Sequence, residues 1–132
     1  MRTFVDTSAL YALLDEKDRE HAGAAEWLRA SGSEAERVLV THNYVVVEAA
    51  ALVYNRLGRS AARVLFDAFI PALSVFFVDE ALHRRAVAAH LVAAGDLSLV
   101  DCTSFELMRD LGVQEAFAFD SDFAKEGFEA VP

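Results

Sequence analysis

The chain has 132 residues, of which 55% are hydrophobic and 11% aromatic, and this length and composition are typical of one globular domain and exclude a disordered chain. The formal net charge of −9 excludes a nonspecific nucleic-acid coat with a basic surface, although it is compatible with an enzyme that reaches nucleic acid through bound cations. The single cysteine, Cys102, excludes an internal disulfide framework and favours a reducing compartment.

Short strands and helices are predicted to alternate along the first half of the chain. A β-branched and aromatic strand over residues 3–5 ends at Asp6, and a helix over 8–14 follows with Thr7 as its N-cap. The next elements are expected to be a helix over about 21–30 that ends at Ser31-Gly32-Ser33, a strand over 38–40 and a helix over 44–57. Three consecutive valines, 45–47, are also compatible with a strand, but the length of the segment and the glycine after it favour a helix.

The same alternation continues through the second half. The predicted elements are a helix over 60–69, a strand over 75–78, a helix over 80–94, a helix over about 99–111, a strand over 116–119 closed by Asp120, and an edge strand over 128–131. Ser98 and Asp101 have the spacing of a capping box at the start of the fourth of these. Strands that alternate with helices indicate βαβ crossovers, so the predicted fold is α/β, with three layers and a central parallel sheet flanked by helices. A single domain is expected over residues 1–132.

Nothing in the sequence indicates a secretory or membrane-spanning segment. The N-terminal apolar run is interrupted at once by Asp6. The most apolar stretch, residues 44–54, contains Glu48 and is too short to span a bilayer. A cytoplasmic protein without membrane association is therefore expected.

Four acidic residues are predicted to meet at the edge of the sheet where parallel strands end and where α/β proteins bind ligands. Asp6 and Asp120 each end a strand, and Asp101 lies in the first turn of a helix. Glu48 lies within the apolar segment VVVEAAALV and has no Lys or Arg three or four residues away to neutralise it. Taken singly, each acid also has an ordinary explanation, which is a strand-end turn, the helix dipole or the solvent edge of an apolar helix.

Four carboxylates at one edge would repel each other unless a cation neutralised them. A ligand set made only of oxygen atoms selects a hard ion such as Mg²⁺ or Mn²⁺, and such sites activate water for attack on phosphodiesters. The histidines do not have the spacing of zinc ligands. His42 follows the second strand and could lie near the site, but an ordinary loop histidine is expected. The sequence therefore predicts a metal-dependent site for phosphodiester chemistry.

Four motifs, FVDTSAL, NYVVVEAAALV, LSLVDCTSFELM and AFAFDSDF, resemble the acidic motifs of PIN-domain ribonucleases, in particular the VapC-type toxins of toxin–antitoxin modules. They occur in the family's order and span essentially the whole chain, which the resemblance identifies as a single PIN domain. The resemblance implies an Mg²⁺- or Mn²⁺-dependent endoribonuclease in which Asp6, Asp101 and Asp120 are metal ligands. Glu48 then completes the acidic quartet, and Ser8 supports the site by hydrogen-bonding Asp6 or a bound water.

The last motif departs from the simplest family pattern, because it contains both Asp120 and Asp122. Asp120 is favoured as the site residue because it ends the predicted strand, and Asp122 is given a supporting role. The resemblance further implies an RNA substrate, a cognate antitoxin and a homodimer, and the large apolar share of the chain fits such interfaces. Two alternatives stay open, a catalytically silent PIN-fold module that binds an antitoxin and a housekeeping RNA-processing nuclease.

Overall fold

A computed structural model of the protein describes residues 1–32 and 34–132. The strands in this part of the chain are Arg2–Val5 (β1), Val38–His42 (β2), Ser74–Phe76 (β3), Glu115–Phe117 (β4) and Glu129–Val131 (β5). The α-helices are Thr7–Leu14 (α1), His21–Gly32 (α2), Asn43–Leu57 (α3), Arg59–Val64 (α4), Glu80–Val92 (α5), Leu99–Leu111 (α6) and Asp122–Lys125 (α7). A π-helical turn, Leu65–Phe69, and a 3₁₀ turn, Ile70–Ala72, connect α4 to β3.

The described strands form one parallel sheet in the order β3-β2-β1-β4-β5. Strand β1 is central, and its Phe4 lies opposite Val40 of β2 and Ala116 of β4. Helices connect the strands, so the predicted α/β class with a central parallel sheet is confirmed. Because all strands run in the same direction, their carboxyl ends lie at one edge, which we call the carboxyl edge.

The hydrophobic core lies around β1 and β4 and supports this edge. Phe4 and Phe117 are fully buried, as expected for strands covered on both faces. Phe4 stacks on Phe123 of α7 with ring centroids 6.1 Å apart, and Trp27 of α2 contacts Phe117 at 4.4 Å. The short helix α7 is thus anchored by a buried aromatic ring, which fixes the chain segment that follows β4.

Helix α1 begins one residue earlier than predicted, and the predicted N-cap is wrong. Asp6 has an extended backbone, and its carboxylate accepts the hydrogen bond from the amide of Ser8. Thr7 is instead the first residue of the helix, and its buried hydroxyl has no hydrogen-bond partner. Aspartate and threonine are both good N-cap residues, and the backbone conformation decides between them.

Strand β4 ends at Phe117, so the prediction that Asp120 closes this strand is wrong. The amide of Ala118 still donates to the carbonyl of Val131 in the neighbouring strand, at 3.2 Å. The next amide, of Phe119, donates instead to the hydroxyl of Ser8 at 3.0 Å. The chain thereby leaves the sheet before Asp120 and turns towards the end of β1.

Other predicted boundaries move by a few residues. Helix α2 continues to Gly32, and Ser33 of the predicted stop lies outside the described residues. The predicted helix over 60–69 starts at Arg59 and widens into the π-helical turn at Leu65. Gly58, which separates it from α3, has a φ of 90°, a conformation that favours glycine. Within the described residues, no helix has the length and apolar character needed to cross a membrane.

Candidate active site

The predicted site acids all lie on elements that begin or end at the carboxyl edge. Asp6 follows β1 directly, while Asp120 and Asp122 follow β4, which is the neighbour of β1. Asp101 lies in the first turn of α6. Glu48 lies in the second turn of α3, which starts where β2 ends.

Three of these carboxylates form a close cluster. One oxygen atom from each of Asp101, Asp120 and Asp122 lies within 4.8 Å of the others, and each residue is half-buried. Burial raises the pKa of Asp101, and the negative charges of Asp120 and Glu48 raise it further. The pKa of Asp122 is also raised, by desolvation and by the charge of Asp120. The cluster therefore holds its negative charges at an energetic cost that a cation would offset.

Asp101 is held in place by the predicted capping box, which is confirmed. The hydroxyl of Ser98 accepts a hydrogen bond from the amide of Asp101 at 3.0 Å. In return, Oδ2 of Asp101 accepts one from the amide of Ser98 at 3.2 Å. These reciprocal bonds fix the carboxylate at the start of α6.

Asp120 and Asp122 belong to one tight turn, and the structure brings both into the cluster. Oδ1 of Asp120 accepts a hydrogen bond from the amide of Asp122 at 2.9 Å, as in an Asx turn. The carboxylate of Asp122 lies 3.8 Å from the exposed ammonium of Lys125. Asp120 thus organises the turn, while Asp122 lies as close to Asp101 as the ligand sphere of a metal ion requires. The positions of these two carboxylates therefore do not decide whether Asp120 or Asp122 is the better placed metal ligand.

Asp6 is the most deeply buried acid of the predicted set, with 4% of its surface exposed. Its Oδ2 accepts hydrogen bonds from the amide of Ser8 at 3.1 Å and from the hydroxyl of Ser8 at 2.6 Å. Burial raises the pKa of Asp6 to about 6, the bonds from Ser8 oppose this rise, and the charge of Asp101 adds to it. The hydrogen bond predicted between Ser8 and Asp6 is therefore present.

Glu48 is half-buried, not enclosed as its apolar neighbours in the sequence indicate. It lies outside the close cluster of Asp101, Asp120 and Asp122, but its charge is one of the causes that raise the pKa of Asp101. The deeply buried acid of the group is Asp6. The acids predicted from four separate motifs thus act on one another electrostatically at the carboxyl edge.

Comparison with known protein families agrees with this arrangement. The PIN domain family matches residues 3–129, nearly the whole chain. The chain belongs to the PIN-domain family. The match spans every acidic residue of the predicted site, and the predicted family is confirmed.

Similar proteins include VapC-type members of the PIN family. The 23S rRNA-specific endonuclease VapC20 from two strains of Mycobacterium tuberculosis is 36% identical over 132 residues, an alignment that covers 97% of this chain and 96% of VapC20. The crystal structure of M. tuberculosis VapC20, a sarcin-ricin loop cleaving toxin, has a TM-score of 0.86 and 34% identity and covers 98% of this chain and 99% of that one. The resemblance to VapC-type toxins is therefore confirmed.

Two solved structures with much lower identity share the PIN fold. VapBC2 from Rickettsia felis, bound to a DNA fragment from its promoter, has a TM-score of 0.73 with 8% identity and covers 98% of this chain and 97% of that chain. FitAcB from Neisseria gonorrhoeae has a TM-score of 0.69 with 13% identity and covers 100% and 97% of the two chains. At these identities the likeness supports the fold alone.

The acids of this PIN domain fit a divalent cation. The donors at the cluster are carboxylate oxygens, which suit hard ions such as Mg²⁺ and Mn²⁺. Their separation of less than 4.8 Å lets one ion contact several of them. A bound cation would also offset the repulsion that raises the pKa of Asp101.

Ser8 is expected to tune the ionisation of Asp6, and Ser8→Ala tests this. The variant removes the hydroxyl donor to Asp6 and the acceptor for the amide of Phe119, so we expect a loss of about 1 kcal/mol in the free energy of unfolding. Because the bond from the Ser8 hydroxyl lowers the pKa of Asp6, its loss should raise that pKa above about 6, while the bond from the backbone amide remains. In the metal-free protein, the titration midpoint of the Asp6 carboxyl, followed by NMR, should then shift upward.

Thr7→Val provides the matched control for this measurement. Its hydroxyl is buried, makes no hydrogen bond and lies next to Ser8 in the chain. The titration curve of Asp6 in metal-free Thr7→Val should coincide with that of the wild type. An unchanged titration curve of Asp6 in Ser8→Ala would show that the Ser8 hydroxyl does not act on Asp6.

The sequence indicates that His42 could lie near the site, but its structural role was not predicted. It is fully buried, forms the last residue of β2 and caps α3 with its imidazole, so the expectation of an ordinary loop histidine is wrong. Burial lowers its pKa to about 4, and the ring is neutral at physiological pH. The one local signal is its position just before the helix that carries Glu48.

Proposed function

We propose that this protein is an Mg²⁺- or Mn²⁺-dependent endoribonuclease and the toxin component of a type II toxin–antitoxin module. One observation carries the proposal: carboxylates from separate motifs converge at the carboxyl edge, with three of them within 4.8 Å, in a PIN domain. VapC20, which is 36% identical over nearly the whole chain, is a 23S rRNA-specific endonuclease. The acids of such an enzyme are expected at this edge.

Asp6, Glu48, Asp101 and Asp120 are proposed to hold the ion, with Ser8 and Asp122 in support. When bound, the ion supplies positive charge that activates water and stabilises the charge that develops on the phosphodiester. The capping box orients Asp101, and the hydrogen bonds from Ser8 orient Asp6 and favour its ionised form. These contacts preorganise the carboxylates before the ion arrives.

The charge of the protein makes RNA binding depend on the ion. With a net charge of −9, the chain repels a polyanion, and the acidic cluster adds to that repulsion. A divalent cation at the cluster would offset part of this negative charge and would offer a positive centre to an oxygen of the scissile phosphate. We therefore assign both substrate positioning and catalysis to the same ion site.

A cognate antitoxin and a second copy of the chain are the proposed protein partners. Exposed apolar side chains supply surface for such contacts: Val47, Tyr54, Val64, Phe66, Phe77, Leu91 and Val92. We propose a cytoplasmic location, because the proposed RNA substrate and antitoxin are found there. The similarity to VapC-type proteins supports this part of the proposal.

Induced expression in a bacterial host tests the proposed function. The wild-type protein should arrest growth and produce new RNA 5′ ends that can be mapped by primer extension, because each cleavage event creates one. Asp101→Asn, expressed to the same level, should do neither, since it removes a charge from the centre of the cluster. Its capping box should persist, because the amide oxygen of asparagine also accepts hydrogen bonds.

The alternatives predict different outcomes. Normal growth and intact RNA in cells that contain folded wild-type protein would favour a catalytically silent module that binds an antitoxin. Specific cleavage without growth arrest would favour a housekeeping nuclease. Relief of the arrest by the product of a neighbouring gene would support the toxin role.

A further inference from the structure

His42 connects the two helices that carry Glu48 and Asp101. It is the N-cap of α3, where Nδ1 accepts a hydrogen bond from the amide of Val45 at 3.3 Å. On the other side of the ring, Nε2 lies 2.9 Å from the hydroxyl oxygen of Ser104 in α6. His42 and Ser104 are both fully buried, so water does not compete for this contact.

The directions of the hydrogen bonds along this path follow from the donors and acceptors. A backbone amide can only donate, so Nδ1 of His42 carries no proton and the neutral ring carries its proton on Nε2. Ser104 therefore accepts from His42, and its own proton goes to the carbonyl of Val100 at 3.0 Å. Every polar atom on the path has a partner, and the path ends one residue before Asp101.

We propose that His42 is a positioning residue of the acid site, which holds the start of α3 against α6 at Ser104, one turn after Asp101, and thereby fixes Glu48 relative to Asp101. Helices α3 and α6 pack directly against each other. The carboxylate of Glu48 already acts on Asp101, because its charge raises the pKa of Asp101. This role rests on the proposed function, since it assumes that the two carboxylates serve one cation.

The expected effect is a change in metal binding beyond any change in stability. Residues that orient metal ligands from outside the ligand sphere typically contribute about 10–100-fold to metal affinity or activity. His42 acts through two helices, so we expect the lower end of this range, about tenfold. A role confined to stability would leave the metal affinity of the folded protein unchanged.

Two substitutions break the connection from opposite sides. His42→Asn keeps a side-chain acceptor at the N-cap of α3 but is too short to reach Ser104. Ser104→Ala removes the hydroxyl and leaves the histidine in place. Thr103→Val is the matched control, because Thr103 is fully buried in the same helix and its hydroxyl likewise donates to a carbonyl four residues earlier, that of Leu99, at 2.8 Å. It is Ser104, not Thr103, that bonds to His42.

Calorimetric titration with Mn²⁺ on folded protein is the primary measurement, and single-turnover cleavage of RNA is the second. His42→Asn and Ser104→Ala should each weaken Mn²⁺ binding about tenfold and lower the cleavage rate, while Thr103→Val matches the wild type. The double variant should be no weaker than either single variant, because both remove the same connection. Ser104→Thr, which retains the hydroxyl, should recover most of the affinity.

The outcomes separate this role from the proposed function. Mn²⁺ affinity in Ser104→Ala equal to that in Thr103→Val would overturn the positioning role and leave the proposed function intact. A wild-type protein that is folded but binds no Mn²⁺ and cleaves no RNA would overturn both. If His42→Asn fails to fold, the comparison of Ser104→Ala with Thr103→Val and Ser104→Thr decides the matter. The ¹⁵N spectrum of the wild-type imidazole should show the neutral form protonated on Nε2, and the form protonated on Nδ1 would contradict the path.

Discussion

Asp6→Asn should lower RNA cleavage by about 100-fold or more and at the same time stabilise the metal-free protein at pH 8. The loss of activity follows from removing one charged ligand of the proposed ion site. The gain in stability follows from burial, because the carboxylate of Asp6 is almost fully enclosed. An asparagine side chain still accepts the hydrogen bonds from Ser8, so the N-cap of α1 is retained.

The pH dependence of this stabilisation has a definite sign. The pKa of Asp6 is raised by burial from 3.8 to about 6, so the folded protein favours the protonated acid. This contribution to stability is fully present below pH 3.8 and is lost as the pH rises through about 6. The difference corresponds to about 3 kcal/mol at most above pH 7, which the Asn variant should recover in part.

Chemical denaturation of metal-free protein at pH 8 and pH 4 measures this effect. Asp6→Asn should be more stable than the wild type at pH 8, and the gap should close at pH 4. Asp79→Asn is the control, because Asp79 is also an N-cap aspartate, with its carboxylate accepting from the amide of Leu82 at 2.8 Å, but it is exposed. A loss of stability in Asp6→Asn at pH 8 would mean that the buried charge is compensated within the protein.

Asp120→Asn should weaken metal binding by about 10–100-fold, and Asp122→Asn should weaken it less. Oδ1 of Asp120 is already oriented by the amide of Asp122, so the carboxylate is preorganised for an ion. Asn at position 120 can keep this hydrogen bond, and the variant therefore removes charge without opening the turn. The negative charge of Asp122 is partly neutralised by the nearby ammonium of Lys125, and Asp122 lies in the first turn of the short helix α7.

Calorimetric Mn²⁺ titration of the two single variants tests this ranking. Lys125→Met is a useful control, since it removes the cation beside Asp122 and should not weaken metal binding. A larger loss in Asp122→Asn than in Asp120→Asn would make Asp122 the ligand and Asp120 the residue that shapes the turn. Equal losses would mean that both carboxylates contact the ion, which is possible because each has an oxygen atom within 4.8 Å of Asp101.

The overall architecture can be predicted from the sequence, because the spacing of apolar residues and the length of each segment distinguish strands from helices. Strands of β-branched and aromatic residues alternate with longer amphipathic segments, and this pattern is sufficient to predict a parallel sheet. The valines at 45–47 do lie in a helix, as the length of their segment indicates. Helix and strand ends were less predictable. Residues 118 and 119 continue the apolar pattern of β4, but the amide of Phe119 is captured by Ser8, which is 111 positions away.

In the candidate site too, features set by neighbouring residues can be predicted, whereas contacts between residues far apart in the chain cannot. Asp6, Asp101 and Asp120 can be predicted as candidate site residues because each follows a strand or starts a helix at the carboxyl edge. The deep burial of Asp6 cannot be predicted in this way, since burial depends on how α1 packs over the sheet. The hydrogen bond between His42 and Ser104 joins residues 62 positions apart, and no local pattern predicts such a contact. The approach of Asp122 to Asp101 depends on a turn whose geometry only the fold defines.

Cleavage of purified ribosomal RNA before and after removal of divalent ions tests the central claim most directly. The wild-type protein should lose all cleavage in excess EDTA and recover it when Mg²⁺ or Mn²⁺ is restored, because the carboxylates alone cannot stabilise negative charge on phosphate. Asp101→Asn, purified in parallel to control for contaminating ribonucleases, should be inactive throughout. Wild-type cleavage that persists after exhaustive chelation would contradict the account.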